Sequence, residues 1–83
     1  MRLILVRLSS ISDRQVLAEF TDRQTGETVE AEFHVESRSG MVVVTGSEPD
    51  VLQWCEGSAD DVRGVHKAVQ AFAEAAGLSG PVV

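Results

Sequence analysis

Residues 58–77 read SADDVRGVHKAVQAFAEAAG, and the reading of this stretch decides the architecture. Val62, Val65, Val69, Phe72, Ala73 and Ala76 recur at spacings of three and four, which lines them up along one stripe of an α-helix. Ser58 stands three residues before Asp61, the pattern of a capping box that satisfies orphaned amide donors at a helix start. Asp60 and Asp61 fall in the first turn, where the positive end of the helix dipole favours carboxylates. Gly77 is placed to take a left-handed conformation and end the helix. Leu78 is then positioned to fold back on the last turn, and Pro81 prevents resumption. The stretch is predicted to be a long amphipathic helix with one side committed to a core.

Working back from the helix, strands are needed to cover its apolar stripe, and the N-terminal half supplies them. Val29, Ala31, Phe33 and Val35 alternate with Thr28, Glu30, Glu32, His34 and Glu36, the period-two pattern of a half-buried antiparallel strand. Before it, Val16, Ala18 and Phe20 alternate with Leu17, Glu19 and Thr21 over residues 15–22. The two strands are joined by Arg23-Gln24-Thr25-Gly26, whose glycine supplies positive φ. Residues 2–8, RLILVRL, are too short for a packed helix and read as a buried strand, with Ser9 to Arg14 as the connection. Ser37-Arg38-Ser39-Gly40 reads as a second tight turn, leading into a β-branched strand over Met41 to Thr45. Loops this short join antiparallel neighbours, because parallel pairs need a long crossover.

After Gly46 the pattern changes. Ser47, Pro49 and Asp50 resemble a helix start, and Val51, Leu52, Trp54 and Cys55 would fill one or two turns ended by Gly57; a fifth short strand is the competing reading. The expected fold is therefore α+β. A four-stranded antiparallel β-meander is followed by a short helix and a long C-terminal amphipathic helix packed on one face of the sheet (β-β-β-β-α-α). Residues 1–78 form one domain on this reading and 79–83 a frayed tail.

Composition narrows the function. The chain has 83 residues, a hydrophobic share of 43% and a formal charge of −6, which suits a small globular domain and disfavours general binding to nucleic acid or anionic lipid. Cys55 is the single cysteine, so no disulfide forms within the chain. The N-terminal apolar run is interrupted by Arg7 and lacks a small-residue cleavage pattern, and no run is long enough to span a bilayer. A cytoplasmic protein is the simplest expectation.

No motif names a reaction. The chain has no glycine-rich loop followed by lysine, no nucleophile elbow, no zinc-protease helix and no Cys-x-x-Cys pair. Cys55, in Trp-Cys-Glu, reads as a buried structural thiol rather than a nucleophile. His34 between Glu32 and Glu36 has only His66 as a second nitrogen ligand, and no closed metal-ligand set is recognisable. His66 itself lies at the border of the apolar stripe. No catalytic, cofactor or metal site is expected, and a small enzyme or metal-binding protein centred on His34, His66 or Cys55 is the third and weakest reading.

Association is the better-supported expectation. Gly64, Ala68, Ala71 and Ala75 lie together on the helix side away from the valines, where small residues permit close backbone approach; alanine is also simply a good helix former. Leu3, Leu5 and Leu17 are expected on the sheet face opposite the helix. There they would form an apolar surface with Val42 and Val44, or Val43, of the fourth strand, which either meets a second copy or is covered within one chain by Val51, Leu52 and Trp54, with Trp54 as the anchor in both arrangements. These residues predict a protein-interaction module, foremost a homodimer. The alternative uses the outward row Glu30, Glu32, His34 and Glu36, with Glu27 nearby and Glu19 expected across the strand pair, as an acidic surface for a basic protein partner or as a mimic of a phosphate backbone. The plainer account of that row is a solvated face that keeps the sheet soluble.

Overall fold

A computed structural model of the chain describes residues 3–48, 59–78 and 80, with side chains for all of these except 48 and 59–62. Four strands, β1 (Leu3–Ser12), β2 (Gln15–Asp22), β3 (Thr28–Arg38) and β4 (Met41–Glu48), are followed by one helix, α1 (Ala59–Ala76). The strands form an antiparallel meander in the order β1-β2-β3-β4, so β1 and β4 are the edges. This is the expected α+β layout of sheet and long helix. The short helix expected over 49–55 lies outside the described residues.

The helix packs on one face of the sheet and touches all four strands. Its Val69 and Ala73 are fully buried against Val16, Ala18 and Phe20 of β2 and Ala31, Phe33 and Val35 of β3. Ala18 and Ala31 are directly paired at the middle of the sheet. Ala18, Ala31 and Ala73 are the small members of this buried cluster, and Phe20 and Phe33 are its largest side chains. His66 presents its ring edge-on to Phe33, at 5.7 Å between centroids and 87° between planes, so it sits at the inner border of the helix.

Turn and cap chemistry accounts for the chain reversals. Ser39 (φ 52°) and Gly40 (φ 79°) both adopt left-handed backbone between the paired residues Arg38 and Met41, a two-residue hairpin loop of the twist-compatible primed type. Between β2 and β3, buried Asp22 builds the loop: its Oδ1 accepts the Gln24 amide at 2.8 Å and its carbonyl accepts the Gly26 amide at 2.8 Å. At the helix end the Leu78 amide donates to the Ala73 carbonyl and the Gly77 amide to the Glu74 carbonyl. That is a Schellman cap, with Gly77 at φ 72° and Leu78 folded onto the core.

The structure corrects the reading of the first strand. β1 is an edge strand rather than a buried one, and it continues through Ser9–Ser12, so that only Asp13 and Arg14 connect it to β2. A serine-rich run is tolerated there because an edge strand buries little. The register of β1 shifts twice against β2, between Leu5 and Arg7 and between Ser10 and Ser12, inserting Val6 and Ile11 as extra residues. Bulges of this kind twist an edge strand and hinder further pairing.

Gly80 is anchored rather than frayed, while residues 79 and 81–83 lie outside the described set. The Gly80 amide donates to the Asp13 carbonyl at 2.7 Å, and the neighbouring Arg14 carbonyl accepts the Val35 amide at 2.9 Å. β3 outruns β2 at this end, and Gly80 lies against the Val35–Glu36 backbone there.

Candidate interaction face

Residues paired across an antiparallel ladder share a face, so the register assigns both sides of the sheet. Leu3 pairs with Asp22, Leu5 with Phe20 and Leu8 with Ala18, which puts all three leucines on the helix side, packed against the core. This overturns the expected grouping of Leu3 and Leu5 with Leu17 on the far side. The cause is the bulge at Val6. One inserted residue reverses the inside–outside phase, so that Leu5 and Leu8 both point inward although their spacing is odd. Leu17 does lie on the far face, between Ser9 of β1 and Glu32 of β3. Of the strand-four valines, Val42 and Val44 pack on the core, whereas Val43 pairs with Glu36 on the far face.

That far face is largely acidic. Row by row from the β1 side, Arg7, Glu19 and Glu30 stand in register, followed by Ser9, Leu17, Glu32 and Glu48. Ser12, Gln15, His34 and Gly46 make the third row, and Glu36 with Val43 the fourth. Glu19 and Glu30 are thus directly opposed, while Glu32 has Glu48 as its backbone register partner in β4. Cross-strand neighbours stand roughly 5 Å apart at Cβ, and such like-charge pairs are destabilising. The cations on this face lie at its margins: Arg7 stands opposite Glu19, and the Arg38 guanidinium pairs with the half-buried Glu36 carboxylate. Among the described residues, the register sets no lysine or arginine opposite Glu30 or Glu32.

The expected row of Glu30, Glu32, His34 and Glu36 is therefore assembled on one face with Glu19 across the strand pair, and the register makes Glu48 the backbone partner of Glu32. Glu19 was legible from the alternation of its own strand. Glu48 was not, because β4 bulges between the partners of His34 and Val35 and runs farther than its β-branched centre suggests. Beside the glutamates, β1 exposes apolar side chains: Ile4 is 43%, Val6 63% and Ile11 48% exposed. Ile4, in register with Thr21, lies on the same face as the glutamates.

The remaining expected site residues lie on α1 or outside the described residues. Gly64 and Ala71 are exposed on α1 and Ala68 is half-buried, all on the side away from the core residues Val69 and Ala73. A Cβ at Gly64 would meet nothing within 4 Å. Trp54 and Cys55 lie outside the described residues. Among the described residues, no three His, Cys, Asp or Glu side chains converge in a group able to hold a metal ion. No helix among them is long and apolar enough to cross a membrane. Comparison with protein-family models, with curated proteins and with solved structures found no match.

Proposed function

We propose that the protein is a small non-catalytic interaction module of the cytoplasm that binds a basic protein partner through the sheet face opposite α1. The observation that carries this reading is the in-register opposition of Glu19 with Glu30, with Glu32 next along the same face of β3. Like charges directly opposed across a strand pair work against folding. Solubility alone is served as well by charges of mixed sign. A block of one sign at the centre of a face serves recognition, because complementary potential raises association rates and rejects wrong partners.

A homodimer built on a leucine face loses its basis, since Leu3 and Leu5 belong to the core. Two copies meeting over the glutamates would also set like charge against like charge.

The test is titration of the full chain with a lysine-rich peptide, comparing E30Q/E32Q with a charge-matched control, D13N/E74Q, whose two carboxylates are exposed elsewhere. The control is expected to bind like wild type and E30Q/E32Q about ten-fold more weakly, or about 1.4 kcal/mol. Equal loss in both variants would reduce the effect to net charge and end the proposal.

A further inference from the structure

We infer that two copies of the chain pair edge to edge through β4, antiparallel about a two-fold axis at Val43, so that their sheets join into one. The two edges of the sheet are unequally guarded. β1 carries Arg7 near its middle and is bulged at Val6 and at Ile11, devices that turn an edge away from further pairing. In β4 the run from Met41 to Ser47, MVVVTGS, holds no charge and no proline. Its bulge falls at Thr45, which leaves Met41 to Val44 in regular ladder. Among the described residues, no strand lies on the outer side of β4. An uncharged, β-branched strand open on one side is a template for another strand.

The sequence of β4 selects a second copy as that strand. A two-fold interface joins one surface to itself, so the segment must complement its own reverse. With Val43 on the axis, Val42 of one copy stands opposite Val44 of the other, and Met41 opposite Thr45. Residues opposed across a ladder share a face, so Val42 and Val44, which pack on the core, meet on the helix side and extend it. Val43 meets its own copy on the far face. Residues 39–47 around the axis carry no charge, and the first charges beyond them are Arg38 on one side and Glu48 on the other. Antiparallel pairing runs β4 of one copy out, at Glu48, past the hairpin of the other, where Arg38 stands at the turn. The charges brought together at both ends are thus of opposite sign, and a guanidinium that already pairs with Glu36 has donors for a second carboxylate. The glutamates do not oppose this contact. The β3 lanes of the two copies are three strand spacings apart, about 14 Å, beyond the screening length at physiological salt. Both acidic faces point the same way and stay open, side by side.

The experiment is sedimentation of the full chain over a concentration series, with circular dichroism to show that each variant is folded. Wild type is expected to pass from monomer to dimer. V43K and V43E each set like charges on the axis and are expected to weaken dimerisation at least about ten-fold. An equimolar mixture of the two is expected to restore it, because only the mixed pair sets opposite charges there. M41K changes a residue that is 59% exposed, so it guards the same edge without touching the core, and it is expected to weaken dimerisation too. V6K, on the β1 edge, is expected to dimerise like wild type. Wild type that stays monomeric up to about 1 mM would overturn the proposal, leaving the edge bare or covered within one chain. A dimer that M41K leaves intact, or that V6K breaks, would place the contact elsewhere and overturn it as well. So would folded V43K and V43E that pair no better mixed than alone, since the axis would then not lie at Val43.

Discussion

Two glycines make the most pointed statements at the level of single residues, and they predict opposite signs. Gly80 sits at φ 59°, and a Cβ there would collide with the Val35 carbonyl group, 2.9 Å from its carbon. Backbone cannot rotate aside as a flexible side chain can, and the left-handed conformation adds strain of its own. Gly80→Ala is expected to destabilise by about 1–3 kcal/mol in urea denaturation. Unchanged stability would mean that the Asp13–Gly80 link contributes nothing. Gly64 is the reverse case, because it lies in the interior of α1 with open space where its Cβ would be. Gly64→Ala is expected to stabilise by roughly 1 kcal/mol, through helix propensity and a less flexible unfolded chain. The Gly77 cap was readable from sequence, because a glycine after a periodic apolar run has one common use. The packing of Gly80 was not, because it depends on β3 outrunning β2, a contact between residues 45 positions apart in the chain.

At the level of elements, legibility followed how locally each feature is determined. β2 and β3 were readable because their alternation of apolar and polar residues is unbroken, and α1 because its stripe, its terminal carboxylates and its glycine agree. β1 was misread in phase because a bulge leaves no mark in composition: LILVRL carries apolar residues at both parities, so nothing in it shows which residue is the extra one. The error then propagated to the candidate site, since the faces of Leu3 and Leu5 depended on that single insertion. The β3–β4 hairpin offers a test of how tightly local chemistry sets an element. Ser39 holds φ 52° in a loop whose geometry favours Asn-Gly, and serine accepts left-handed backbone less readily than asparagine. Ser39→Asn is expected to raise stability by about 0.5–1 kcal/mol. Thermal unfolding measures this directly, and a loss of stability would imply that the Ser39 side chain makes a contact the turn geometry does not require.

Across the whole molecule the two faces of one sheet are put to different uses, and electrostatics lets that division be measured. The helix face gathers the apolar side chains, with Phe20, Phe33, Val16, Val35 and Val69 all fully buried, and this burial holds the fold. The opposite face gathers Glu19, Glu30, Glu32 and Glu36 against Arg7 and Arg38 on a chain of formal charge −6. Repulsion among exposed charges is screened over about 10 Å at 0.1 M salt and about 3 Å at 1 M. Burial of apolar groups is not weakened by salt in this way. Wild type is therefore expected to gain stability as sodium chloride rises from about 0.01 M to 0.5 M. E30Q/E32Q should start about 0.5–1.5 kcal/mol more stable at low salt and converge on wild type at high salt. Both variants are measured by urea denaturation at fixed neutral pH, since a shift in midpoint without a change in slope reports stability alone. If the two salt curves run parallel, the opposed glutamates do not repel one another in the folded chain, and the argument that the face is held ready for a cationic partner loses its energetic footing.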